Sequence, residues 1–169
     1  MSSQIKVAVE VPDGPFATKG AEVVVRICRS AQLDPRWAAV ERALVSLRRQ
    51  GRHAVRIVDA DCSCGTMLIE VARLARALGF TAVEGRGIGT SPAMIGRARV
   101  AAMRHRDPAI GLSFEGGEIA AALAEEAAFP ADILLWHGGG GGPLQSAIAA
   151  AARQVIGDTP FGHVARRAA

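Results

Sequence analysis

The chain has 169 residues, 50% of them hydrophobic and 21% charged, which gives room for one soluble domain with a real core. No apolar run reaches the length of a membrane span, and the start, Met1 to Val11, lacks the apolar stretch of a secretory signal, so a cytoplasmic protein is expected. The net charge of +4 comes from dispersed arginines, with Lys6 and Lys19 the only lysines; aromatic residues make up 4% and Tyr is absent, which argues against a nucleic-acid surface.

Alternation of Ile5, Val7, Val9 and Val11 predicts a short half-buried strand, closed by Pro12-Asp13-Gly14-Pro15. From Thr18 to about Gln32 the spacing of Val24, Ile27, Cys28 and Ala31 is helical. Asp34 with Pro35 reads as the cap of a helix running to about Gln50, with Trp37, Val40, Leu44 and Leu47 on one face and Gly51 as its stop. Then come strand Val55–Ala60, helix Thr66–Leu78, strand Ala82–Ile88 and helix Pro92–Met103. Strand Ile110–Phe114 and an Ala-rich helix to about Ala128 follow. Strand Ala131–Trp136 runs into His137 and five glycines; helix Leu144–Ile156 and a frayed tail from Gly157 complete the reading.

Strands alternating with helices predict an α/β fold, a mostly parallel sheet of about five strands with helices on both faces. The chain reads as a single domain: an N-terminal strand and cap helices over 1–50, a core over 51–156 and a tail over 157–169. Ligands of such sheets bind at the carboxyl ends of the strands, where strand order reverses. The ends here are Asp59–Gly65, Gly87–Ser91, Glu115–Glu118 and Trp136–Gly142. The first has the form of a nucleotide cradle: a strand, an acid, a tight small-residue turn and a helix N-terminus with unpaired N–H groups.

Cys28, Cys62 and Cys64 are an odd count and do not suggest a disulfide framework. No second pair of Cys or His stands at metal-ligand spacing, so Cys62 and Cys64 read as small turn residues and no metal is expected. His137, between a strand end and a flexible loop, is a candidate general base or a plain surface histidine. The five glycines are not followed by Lys-Ser/Thr, which argues against a triphosphate loop.

In this order, Asp59-Ala60-Asp61-Cys62-Ser63-Cys64-Gly65, Gly87-Ile88-Gly89-Thr90-Ser91-Pro92, Leu112-Ser113-Phe114-Glu115-Gly116-Gly117-Glu118 and Ala131-Asp132-Ile133-Leu134-Leu135-Trp136 resemble the class I S-adenosylmethionine-dependent methyltransferases. The resemblance implies a Rossmann-like sheet, shortened from the family's seven strands, and S-adenosyl-L-methionine as cofactor with S-adenosyl-L-homocysteine as product. It implies that Asp59, Asp61, Ser63 and Gly65 hold the methionine portion, that Gly89 and Ser91 lie by the ribose, and that Glu118 faces the adenine amino group. His137 falls where such enzymes contact their acceptor.

The chain departs from the family where Asp61 and Ser63 replace two glycines and Gly89 replaces the ribose-binding acid. The expected function is methyl transfer to an unidentified acceptor. The alternatives are a catalytically inactive methyltransferase-like binding or assembly module, and a nucleotide-binding fold for another ligand. A sheet that stops early leaves an open edge, to be covered by Ile5–Val11, by the tail or by a second subunit in a homodimer.

Overall fold

The computed structural model describes residues 31–138 and 143–157. The expected strand Ile5–Val11, most of the expected helix from Thr18, Gly139–Gly142 and the tail beyond Gly157 lie outside these residues. The end of that expected helix, Ala31–Leu33, is a single 3-10 turn.

Ten elements follow it. They are α1 (Trp37–Arg49), β1 (Ala54–Ala60), α2 (Thr66–Ala77), β2 (Ala82–Gly89), α3 (Pro92–Ala102), β3 (Ile110–Gly116), α4 (Ile119–Glu126), β4 (Ala131–Trp136), α5 (Pro143–Ala151) and β5 (Ala152–Gly157). The sheet order is β3-β2-β1-β4-β5, and every neighbouring pair is parallel. The chain steps outward from β1 to β3, then crosses back to β4 and steps outward the other way. Strand order therefore reverses between β1 and β4, and open α/β sheets bind their ligands at the carboxyl ends of such a pair.

Alternation along the strands sorts the core into two layers. Val55 and Ile57 of β1 pack with Val40, Leu44, Leu68, Val71 and Phe80 beneath α1, α2 and α3. Val58 and Ala60 face the other way, onto Leu123, Leu134, Trp136 and Ile148 beneath α4 and α5. By the same alternation Asp59 points to the α1–α3 side.

Asp34 caps the turn that leads into α1: its Oδ1 accepts the Arg36 backbone N–H at 2.9 Å, and Arg36 already has helical dihedral angles. One expectation is corrected here. The helix expected over Leu144–Ile156 ends at Ala151, and residues Ala152–Gly157 form β5 instead. The alanine run carries no Gly or Pro to break a helical reading. The ladder from Ala131↔Ala152 to Trp136↔Gly157, with Ala152 and Ile156 buried against it, decides for a strand. Of the five strands expected, four stand as read; the fifth described strand is β5.

A charged network crosses the α4 side of the sheet. Glu126, 2% exposed, accepts from Arg56 Nη1 at 2.5 Å and Nη2 at 3.0 Å, and from Arg86 Nη1 at 2.5 Å. Arg56 also reaches Glu84, and Arg86 reaches Glu115 and Glu125. Asp132, at the amino end of β4, is held by Arg52 and by the Arg56 backbone N–H, so this acid braces the amino end of the sheet.

Candidate functional site

The segment between β1 and α2 folds as a loop of left-handed residues. Asp61 has φ 67°, Ser63 φ 51° and Gly65 φ 76°, at alternate positions. Glycine takes this conformation without steric penalty, and Asp tolerates it better than most residues. The loop is tied down from both sides. The Cys62 N–H donates to the Ile88 carbonyl of β2 at 2.8 Å, and the Gly65 N–H donates to the Cys62 carbonyl at 2.9 Å.

Gly65 is required by space as well as by φ. A Cβ there would stand 2.6 Å from Phe114 Cε1 and 2.9 Å from Ala98 Cβ. Gly65→Ala is expected to destabilise the fold by about 2–4 kcal/mol, combining left-handed strain with overpacking. Chemical denaturation measures this; a loss below about 1 kcal/mol would show that Phe114 yields freely.

Asp59 ends β1 with its side chain fully buried, and neither carboxylate oxygen has a hydrogen-bond partner. Burial pushes this carboxyl up to about 7; Arg36 pulls against the shift, while Asp34 and Asp61 add to it. Burial, with Asp59 and Asp61 beside it, also pushes the Cys62 thiol up to about 12, so Cys62 is an inert, free thiol. Cys64 is disulfide-bonded, which its odd-numbered cysteine set gave no reason to expect.

The sequence reading missed the residue that organises this site. Arg36 is 1% exposed. Its Nε donates to Asp34 Oδ1 at 2.9 Å and its Nη2 to Asp34 Oδ2 at 2.8 Å. The same Nη2 lies 2.6 Å from His137 Nε2, just beyond β4. A guanidinium only donates, so Nε2 accepts and the ring proton sits on Nδ1. Burial raises the Asp34 carboxyl, but the bonds from Arg36 outweigh it and hold that carboxyl below the usual range. The Asp34-Pro35-Arg36 triplet shows only an acid two residues before a base, a pattern too common to mark a site.

The structure thus brings Asp59, Asp61 and His137 together around Arg36 and Asp34. Gly89 is buried at the end of β2, and its carbonyl accepts the Gly117 N–H at 3.2 Å, which joins the β3 turn to the β2 end. Ser91 precedes α3 and Glu118 precedes α4; both are exposed, and neither side chain makes a cap bond. No bond among the described residues joins Glu118 to the β1 loop. The same residues include no helix long and apolar enough to cross a membrane and no metal-binding cluster of His, Cys, Asp or Glu.

No family model and no curated protein matches the sequence. Among solved structures, WbdD in complex with the kinase inhibitor LY294002 superposes with a TM-score of 0.54, at 19% identity, over 78% of this chain and 32% of that one. The magnesium protoporphyrin IX methyltransferase ChlM of Synechocystis PCC 6803, with bound SAM, gives 0.47 at 17% identity over 72% and 58%. The plantazolicin methyltransferase BamL, with a triazolic desmethylPZN analog and SAH, gives 0.45 at 18% identity over 64% and 35%. The chain spans less than two thirds of the length of each, and at these identities the likeness is one of fold. The chain has a Rossmann-like α/β fold, a five-stranded parallel sheet with a layer of helices on each face, and shares it with WbdD.

Proposed function

We propose that the chain binds S-adenosyl-L-methionine at the carboxyl ends of β1 and β2 and is a methyltransferase acting on an unidentified acceptor. The observation that carries this reading is the loop after β1, left-handed at 61, 63 and 65, although only one of the three is glycine. A sequence that keeps a strained backbone without the residues that make it free of strain points to a function for that shape. The orphaned Asp59 carboxyl beside the loop fits the charged end of an amino acid.

In this reading Asp59, Asp61, Ser63 and Gly65 hold the methionine portion, Gly89 and Ser91 lie along the ribose, and Glu118 faces the adenine amino group. When bound, the cofactor supplies an activated sulfonium methyl group. The protein's own part is to align the acceptor and exclude water. His137 is the candidate base. Its Nε2 is engaged by Arg36, so this nitrogen takes an acceptor proton only once Arg36 swings aside.

Calorimetry with S-adenosyl-L-methionine and S-adenosyl-L-homocysteine, beside ATP and NAD, tests the reading. The adenosyl-sulfur ligands are expected to bind and the other two are not; no binding by the first pair overturns it. A catalytically inactive binding module is the second reading, favoured by the absence of a side-chain acceptor at Gly89. Binding without transfer to any acceptor supports it.

Gly89→Asp is expected to strengthen cofactor binding by about 1 kcal/mol, several-fold in affinity, by giving the ribose hydroxyls a charged acceptor. Gly89 is not among the left-handed residues, and the nearest atom to an added Cβ is the flexible tip of Ile95, Cδ1 at 3.1 Å. Equal or weaker binding by the folded variant would show that no ribose lies at the end of β2. The reading is completed by a cytoplasmic site of action and an edge-to-edge homodimer, since β3 and β5 are the outer strands of the described sheet. Sedimentation of the full chain tests the dimer.

A further inference from the structure

Helix α3 buries Ile95 and Ala98, and its Arg99 turns back to donate to the Phe114 carbonyl at 2.8 Å. Apolar side chains also stand on its outer face. Val100 is 50% exposed, and Met103, just past the helix, is 70% exposed. A groove of about 580 Å³ runs along this face, lined by Ala93, Gly96, Arg97, Val100, Ala101 and Arg104. Positions 93, 96, 97, 100 and 104 share one face of a helix, so the groove presents a seam of about three turns.

Gly96 is the residue here that the fold does not explain. A glycine inside an exposed helix weakens it relative to alanine. Gly96 is not among the residues of positive φ, and a Cβ built on it meets nothing within 4 Å. What its missing side chain leaves is room for a close approach from outside. The charge beside it is also unanswered. No acid stands between Glu84 and Asp107 in the sequence, and Asp107 is engaged by Arg76 at 2.7 Å. Arg97 and Arg104 make no hydrogen bond or ion pair among the described residues.

These charges select the occupant. A second copy laid face to face would set Arg97 and Arg104 against the same arginines. Residues 1–30 and the tail beyond Gly157 each hold more basic than acidic residues, so neither end of the chain complements the face. A bilayer surface takes large apolar side chains such as Leu, Phe or Trp, and a single-stranded nucleic acid takes aromatic ones; the lining has neither.

We propose that the outer face of α3 docks an acidic amphipathic helix of another protein, with small or apolar residues laid along Gly96 and Val100 and with Asp or Glu flanking them to meet Arg97 and Arg104. This is recognition of a helix in a groove, with the apolar seam giving contact area and the arginines giving charge selectivity. It does not depend on the ligand bound at the carboxyl ends of the strands.

The probe is a synthetic helical peptide of about 18 residues, long enough to hold its helix, built of Ala, Leu and Glu with Glu flanking a Leu seam. A second peptide has Lys in place of Glu. Amide NMR of the labelled full chain is expected to show shifts along α3, at Gly96 and Val100, when the acidic peptide is added. Its affinity is expected to exceed that of the basic peptide by about tenfold or more. Gly96→Leu fills the groove from an open position, and is expected to lower that affinity about tenfold while melting no lower than wild type. Arg97→Glu combined with Arg104→Glu is expected to reverse the preference to the basic peptide.

Equal affinity for the two peptides overturns the proposal, as does no binding by the acidic one. So does a Gly96→Leu variant that binds like wild type, or binding that leaves the α3 signals unmoved. Anionic phospholipid vesicles or a single-stranded oligonucleotide that shift the α3 signals more than the acidic peptide does would make this a membrane or nucleic-acid face, and overturn it too.

Discussion

Asp59→Asn is expected to raise the stability of the ligand-free protein at pH 8 and to flatten its dependence on pH. The wild-type carboxyl titrates at about 7 when folded, against an ordinary value of 3.8. Below the lower value both states are protonated and folding carries no penalty. Between the two the unfolded chain has lost its proton and the native one has not, so stability falls as pH rises, by about 1.4 kcal/mol per unit. Above 7 the full penalty is present, up to about 4 kcal/mol. Asn matches the neutral acid in shape and never carries that charge. Thermal melting of both proteins from pH 3 to 8 measures the effect. The curves should meet below about pH 4 and diverge toward pH 8, with the variant above. Parallel curves, or a variant less stable at pH 8, would mean that Arg36 stabilises a charged Asp59 in the fold.

The second large effect is expected at Glu126, on the opposite face of the sheet. This buried carboxylate is the shared acceptor of Arg56 and Arg86. Removing one partner from a buried ion pair leaves charge without compensation and typically costs about 3–5 kcal/mol. Arg56 keeps Glu84 and the Phe129 carbonyl, and Arg86 keeps Glu115 and Glu125, so the lower part of that range applies. Glu126→Ala is therefore expected to cost about 3 kcal/mol in urea unfolding. A loss under about 1 kcal/mol would show that the outer glutamates hold the arginines without it. Because the network lies on the α4 side and Asp59 on the α1 side, the two substitutions should act additively.

Four strands and the helices between them were legible because each depends on short-range pattern. Val55 to Ala60 alternates into two buried layers, Pro92 opens α3, and Gly51 lies just past the end of α1. The loop after β1 was legible too, since an apolar strand, an acid and small residues before a helix require a tight turn. The sequence alone thus determined the class of fold and the place of the tight turn after β1.

Tertiary structure alone decided what the site contains. Arg36 meets His137 across 101 residues, a pairing no local pattern encodes. Asp59 is an ordinary strand-end acid in the sequence; burial among Arg36, Asp34 and Asp61 makes it a group that titrates near neutrality. Arg56 and Arg86 look like solvent-facing arginines until Glu126 arrives from α4. Residues Ala152–Gly157 extend an alanine helix in any local reading and become a strand because β4 offers them a ladder. Periodicity is a property of neighbours along the chain, whereas charge, protonation and edge pairing depend on what the fold brings alongside.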